Sequence, residues 1–290
     1  MRSGFVPVVG RPNVGKSTLV NSLVGSKVAI TSSRPQTTRN AIRGIVERPD
    51  LQIVLVDTPG IHRPRTALGE RLNSLAQSSL AEADAAVFVI EATGKIGPGD
   101  RLIAARLQEA GLPTVCVVNK VDAARPGEVV ERLGAAGEWG FAAYVPVSAT
   151  ERSNLDPVVS EVAALLPEGP RYFPEGTSTD QAEDLMVGEI VREKFLDRLR
   201  QELPHSLAVL VDEIEEQSNG VVRITARVLV ERDSQKGIVI GAGGGMLAAS
   251  GAEARAELER RFGARVHLDL RVVVEKDWQR HPGIVDRLGL

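Results

Sequence analysis

The chain has 290 residues, 43% hydrophobic and 25% charged, with a formal net charge of −3; that is the composition of globular domains and about the length of two. The near-neutral charge excludes a grossly basic, sequence-indifferent polyanion binder, and the single cysteine, Cys116, excludes a disulfide scaffold and a cysteine-based zinc site. No apolar run approaches the ~20 residues of a membrane span, and the chain enters a strand-like FVPVV without a secretory pattern, so a reducing cytoplasm is the expected location.

In chain order, strands are predicted at Phe5–Val9, Ala41–Glu47, Gln52–Asp57, Ala85–Glu91, Thr114–Asn119 and Ala143–Val147. Helices are predicted to begin near Lys16, Thr66, Gly99, Glu128 and Asn154. Short apolar strands alternating with helices predict an α/β domain: a mainly parallel sheet with helices on both faces. The stretch LPEGPRYFPEGTSTD, rich in proline and glycine, breaks that rhythm and reads as a linker. Beyond it the pattern is α-β-β-α-α-β. A long helix is predicted at Ala182–Gln201 and strands at Ser206–Ile214 and Val221–Glu231, then a short apolar element at Ser234–Ile240. A glycine cluster, a helix over Met246–Phe262 and a strand over Val266–Glu275 complete it. The expected domains are 1–169, a linker at 170–181, and a second, α+β domain at 182–290.

Gly10-Arg11-Pro12-Asn13-Val14-Gly15-Lys16-Ser17 has the G-x4-G-K-[ST] spacing between a predicted strand and a predicted helix. The glycines let the backbone wrap a phosphate chain, and the helix N-terminus adds partial positive charge. Lys16 would reach the β- and γ-phosphates and Ser17 would ligate magnesium. Val14 and Thr18 complete the run expected to touch nucleotide. Asp57-Thr58-Pro59-Gly60 ends a strand, where Asp57 is placed to hold magnesium through water and Gly60 to offer its N–H to the γ-phosphate. Asn119-Lys120-Val121-Asp122 follows another strand. A carboxylate at Asp122 accepts two hydrogen bonds from the N1–H and amino group of guanine, a pair that adenine lacks. A backbone N–H of Ser148-Ala149 is the candidate for a further base contact. Thr37-Thr38 lies between the first two motifs. A threonine there closes on magnesium and γ-phosphate only when the triphosphate is present, and Thr38 is the favoured one.

These motifs resemble those of guanine-nucleotide switch proteins. GRPNVGKSTLVNSLVG, SSRPQTTRNAIRGI, VDTPGIHRP, ELPHSLAV, VERDSQKGIVIG and LDLRVVVEKDW further resemble the Era family, bacterial GTPases of the translation-factor class that carry a C-terminal type II KH domain. The resemblance spans essentially the whole chain. It implies a P-loop GTPase that uses GTP, GDP and Mg2+, with Lys16, Thr38 and Gly60 serving hydrolysis. It implies binding to 16S rRNA near its 3′ end, a role in assembly of the 30S ribosomal subunit, a monomer, and peripheral contact with the inner face of the cell membrane in some members. Ile61 stands where signalling GTPases place a glutamine that orients water, so slow intrinsic turnover is expected. Some relatives hold potassium with the residue found here as Asn13; the alternative is that Asn13 only shapes the loop.

Gly241-Ala242-Gly243-Gly244 has the GxxG placement of a KH fold, whose loop clamps about four nucleotides. Lys236, Ile240, Gly241, Ala242, Gly243 and Gly244 are the candidate RNA-contacting residues. Ile238, Ile240 and Leu247 are expected to line the groove. One departure stands out: Era proteins usually carry lysine in or just after this loop, and here Ala242, Gly243, Met246 and Ala248 stand there. The segment 181–290 has 16 basic and 19 acidic residues, a net of −3. An alternative follows from that deficit, a GTP-dependent switch whose KH domain binds a protein or membrane partner.

Overall fold

The computed structural model describes residues 1–32, 37–59, 74, 78–199 and 203–289. They form two compact units, Met1–Thr31 with Thr38–Asp180, and Ser32–Thr37 with Gln181–Leu290. The helix expected near Thr66 lies outside the described residues.

The first unit runs β1 (Arg2–Val9), α1 (Lys16–Val24), β2 (Ile42–Arg48), β3 (Leu51–Asp57), β4 (Ala86–Glu91), α2 (Pro98–Glu109), β5 (Thr114–Asn119), α3 (Pro126–Gly137), β6 (Ala143–Pro146) and α4 (Leu155–Leu165). The sheet order is β2-β3-β1-β4-β5-β6, parallel except for β2, which pairs antiparallel with β3. Central strands are covered on both faces, which is why VFVI and VCVV are unbroken apolar runs rather than alternating ones. One face packs Val6, Val8, Val87 and Val117 with Leu19 and Val20 of α1 and Val158 and Val162 of α4. The other packs Phe88, Ile90, Cys116 and Val118 with Ile103 and Leu107 of α2 and Ala136 of α3. Each buried aliphatic side chain contributes about 1.5–3 kcal/mol. The chain leaves β1 toward β2 and β3 on one side and returns to β4 on the other. The resulting crevice at the carboxyl ends of the strands is where an open α/β sheet takes its ligand.

Two buried polar groups in this unit are informative. Gln52 is fully buried in β3; its Nε2 donates to the Phe173 carbonyl at 2.9 Å and its Oε1 accepts from the N–H groups of Tyr172 and Phe173. The segment with linker composition is therefore pinned along this unit, and the Ile45 N–H also donates to the Ser178 carbonyl at 2.9 Å. Composition signals an absence of helix or strand; it does not signal an absence of contacts. Cys116 is fully buried in β5, and burial together with the Asp100 charge pushes its thiol well above the usual range.

The second unit holds α5 (Glu183–Leu196), a one-turn α6 (Leu203–Ser206), β7 (Ala208–Glu216), β8 (Val221–Val230), α7 (Asp233–Ile240), α8 (Gly245–Phe262), β9 (Arg265–Val274) and α9 (Pro282–Arg287). The order is β7-β8-β9, with β7 antiparallel and β9 parallel to β8. The short apolar element expected at Ser234–Ile240 is the helix α7, and α5 ends at Leu196, short of the expected Gln201. Phe195, Ile190 and Val187 of α5 pack with Val209, Ile224, Ala226 and Leu258 in one core. Gly188 permits that approach, because a Cβ there would lie 3.0 Å from the Val209 carbonyl oxygen. After β9 the chain is anchored by Trp278, fully buried, whose indole N–H donates to the Ser206 carbonyl at 2.9 Å. Among the described residues no helix is long and apolar enough to cross a membrane.

Candidate functional site

The loop between β1 and α1 is built by steric necessity. A Cβ on Gly10 would sit 2.4 Å from the Val89 carbonyl oxygen, and one on Gly15 would sit 2.3 Å from the Asn119 amide nitrogen. Gly15 also has φ 94, and Asn13 takes the left-handed region at φ 67. Gly15 caps α1 without a side chain, so the first-turn amides of Lys16, Ser17 and Thr18 face the loop unspent by any cap. That is the geometry of an anion cradle. Lys16 is buried, and its ammonium donates to the Gly10 carbonyl at 3.2 Å and the Arg11 carbonyl at 3.0 Å. Burial lowers its pKa to about 8, with Asp57 partly opposing. An ammonium held by two carbonyls and shut from water gains most from an arriving phosphate.

Three oxygens meet beside it. Ser17 Oγ donates to Asp57 Oδ2 at 2.7 Å, Thr38 Oγ1 donates to the same oxygen at 3.1 Å, and the two hydroxyls are 2.9 Å apart. These residues come from α1, the segment before β2, and the carboxyl end of β3. Asp57 is fully buried, its carboxyl pushed up by burial while Lys16 and the two hydroxyls hold it down. Its second oxygen, Oδ1, is buried without a hydrogen-bond partner among the described residues. One carboxylate with a spare oxygen and two hydroxyls make a hard, all-oxygen donor set, which fits Mg2+. The hydroxyl that reaches the cluster is that of Thr38. Gly60 and Ile61 lie outside the described residues.

A second constellation forms at the ends of β4, β5 and β6. Asn119 is buried with both ends of its amide used: Nδ2 donates to the Val14 carbonyl at 2.9 Å, and Oδ1 accepts from the Ala149 N–H at 3.1 Å. It thereby staples the phosphate loop to the loop after β6. Lys120, in the left-handed region at φ 65, donates to the Asn13 carbonyl at 2.8 Å and pairs with Glu91 at 2.7 Å. Asp122 is exposed, and its Oδ1 accepts from the Ser148 hydroxyl. Of the backbone N–H groups expected to touch a base, that of Ser148 donates to the Ser153 carbonyl within the loop and that of Ala149 to the Asn119 side chain at the end of β5. What Ser148 supplies is its hydroxyl, aiming Asp122. Glu91 escaped the sequence reading; its only signal was an acid at the carboxyl end of an apolar strand.

In the second unit Gly241, Gly243 and Gly244 all have positive φ (76, 57 and 79), which compresses the link between α7 and α8 to a single tight turn. A Cβ on Gly241 would lie 2.8 Å from that of Met246. Ala242 and Gly243 are exposed and Lys236 is half-buried on α7. Beside the turn, α8 and β9 bound a groove of about 400 Å3, lined by Leu247, Ala248, Gly251, Ala252 and Arg255 on the helix and by His267, Leu268, Asp269 and Leu270 on the strand. Of the side chains expected there, only Leu247 lines it. Ile240 packs against the core and Ile238 is 54% exposed. On the helix α7 Ile238 and Ile240, two positions apart, lie about 200° apart around the axis and so face different sides.

Fold and site together define a P-loop guanine-nucleotide-binding protein joined to a KH domain. Family models agree, matching residues 5–120 as a "50S ribosome-binding GTPase" and 202–279 as a "KH domain". The chain is 51% identical to GTPase Era of Mycobacterium avium and to that of Mycobacterium tuberculosis, covering 99% of this chain and 98% of each relative. Its structure is similar to that of a point variant of Aquifex aeolicus Era bound to GDP.AlF4-, with a TM-score of 0.94, 38% identity, and 100% and 99% of the two chains covered. It is also similar to Era in complex with MgGDPNP and nucleotides 1506–1542 of 16S ribosomal RNA, with a TM-score of 0.93 at the same identity and coverage. The chain belongs to the Era family of GTPases and hydrolyses GTP to GDP and phosphate.

Proposed function

We propose that this GTPase is a nucleotide-driven switch that binds the 3′ region of 16S rRNA through its KH unit and assists assembly of the 30S subunit. The observation that carries the switch is the hydroxyl of Thr38 reaching Ser17 and Asp57, residues 21 and 19 positions away in sequence. Here Thr38 is tied to the Mg2+ donor set by hydrogen bonds alone, and the ion and γ-phosphate of bound GTP would replace those bonds and fix it more firmly. The solved Era complex with 16S rRNA nucleotides supports the RNA partner.

The geometry of the described residues supports these roles. The amides after Gly15 and the ammonium of Lys16 cradle the β- and γ-phosphates and hold the charge that develops as water attacks in line. Ser17 and Thr38 would hold Mg2+ directly and Asp57 through water, and the bound ion would neutralise phosphate charge. From its place in the Asp57–Gly60 motif, Gly60 would offer its N–H to the γ-phosphate. Asn119 fixes the loops, Lys120 braces Asn13, and Asp122, aimed by Ser148, reads guanine. Ile61 has no group to orient water, so basal turnover is slow and needs help. If Asn13 holds potassium, hydrolysis is at least tenfold faster in potassium than in sodium, on a scale where such a charge contributes up to ~10³–10⁵. Equal rates assign Asn13 to loop shape alone.

In the KH unit the turn at Gly241–Gly244 brings bare backbone against the phosphates of a single strand, and bases lie in the groove between α8 and β9. The alternative, a protein or membrane partner at the inner face of the cell membrane, is favoured by one observation: no lysine stands in the turn. The deciding experiment titrates protein loaded with GTP or GDP into labelled RNA of the small-subunit 3′ end, beside a scrambled control, at two salt concentrations. Preferential, salt-weakened binding supports the rRNA reading. Equal or absent binding to both RNAs sinks it and leaves the GTPase intact.

A further inference from the structure

Asp100 lies in the first turn of α2, 1% exposed and remote in sequence from every nucleotide motif. Its Oδ2 accepts from the Gly97 N–H at 2.8 Å, an ordinary helix-capping bond. Its other oxygen, Oδ1, accepts from Nε of Arg11 at 2.8 Å, 89 residues away in the phosphate loop. The stem of Arg11 lies across the backbone of α2, because a Cβ on Gly99 would stand 2.8 Å from its Cδ. So two independent features, a buried carboxylate and a missing side chain, together make a seat for Arg11. The Arg11 backbone carbonyl in turn accepts from the Lys16 ammonium at 3.0 Å.

We propose that Asp100 is a positioning residue for GTP hydrolysis: by holding Arg11 in this seat it fixes the carbonyl that aims Lys16, without itself touching nucleotide. A charge-assisted bond to a buried carboxylate holds far more firmly than a surface ion pair. The phosphate loop is thus clamped from both ends, by Asn119 at Val14 and by Asp100 at Arg11. The inference rests on the assignment of Lys16 to the transferring phosphate.

The test measures single-turnover hydrolysis at saturating GTP and Mg2+, with melting temperatures, for Arg11→Ala, Asp100→Asn, Gly99→Ala and the Arg11→Ala/Asp100→Asn double variant. Lys16→Ala serves as reference. Each single variant is expected to lose about tenfold in kcat with little change in KM, since a misplacement of an ångström can cost up to ~10²-fold. The double variant is expected to be no slower than the slower single, because both act through one contact. Asp100→Asn keeps an acceptor for the Gly97 N–H, so a purely capping role predicts native kcat there. Gly99→Ala displaces Arg11 with both charges intact, and Arg11→Ala is a partly exposed change, so at least one variant reads out in folded protein. Native kcat in folded Arg11→Ala and Asp100→Asn, or losses that multiply in the double variant, would overturn the proposal. Native kcat in Lys16→Ala would instead sink the reading of the site on which it rests.

Discussion

The two units offer a phosphate opposite surroundings. In the first, the groups around the phosphate loop are buried and tied to one another: Lys16 to two carbonyls, Asn119 to two loops, Asp57 to two hydroxyls. In the second, the glycine turn is exposed backbone, and the groove beside it offers Arg255 as its one permanently charged cation. Preorganised, desolvated groups act strongly and specifically; exposed backbone acts weakly and tolerates change. A single substitution should therefore cost orders of magnitude in the first unit and far less in the second.

The largest effect is expected at Asp122. Asp122→Ala removes the acceptor for the guanine edge and should lower GDP affinity by ~10³–10⁴ while RNA affinity in a fixed nucleotide-free state stays native. Titration with a fluorescent guanine nucleotide measures it, and a loss under tenfold would break the contrast between the units. Next comes Asn119→Ala, which strands the Val14 carbonyl and the Ala149 N–H in a buried site. About 1–3 kcal/mol for each group, or ~2–6 kcal/mol for the two, corresponds to ~30-fold or more, divided between a fall in nucleotide affinity and a lower melting temperature of the nucleotide-free protein. Calorimetry of both forms separates the two.

The order of these effects bears on what the sequence made legible. The phosphate loop, Asp57 and the guanine motif were readable because their chemistry demands fixed residue types at fixed spacing, and the strands because doubly covered β-sheet needs unbroken apolar runs. Glu91 and Asp100 were not, because each is an ordinary acid at the end of an ordinary element and acquires its partner only when the sheet closes. The order α-β-β-α-α-β already required a helix at Ser234–Ile240; what it did not show is which of that helix's side chains would face the groove. The segment at 172–178 was misleading in another way: its proline and glycine content gave no hint that Gln52 would clasp it.

In the second unit the effects shrink. Gly243→Asp places a carboxylate on the exposed turn, where the φ of 57 suits Asp better than most residues and nothing crowds a Cβ. RNA affinity should fall by about ten- to a hundredfold with GTP hydrolysis unchanged. Gel shifts in parallel with a phosphate-release assay decide it. Smallest is Arg255→Ala, expected to weaken RNA binding a few-fold and to reduce the salt slope by ~0.7, the share of one phosphate contact to a single strand. An unchanged slope would move Arg255 from phosphate contact to groove wall.

One buried side chain has a use at the bench. The only thiol of this chain, Cys116, is sealed in the middle of the sheet and held protonated by its surroundings. Reagents that attack thiolates find no target on the native protein. A cysteine placed at Ala242 on the glycine turn, or at Val130 on the outer face of α3, would therefore be labelled alone, with no native residue removed first. A dye at the turn would report the arrival of RNA directly, and one at Val130 would serve as the silent control.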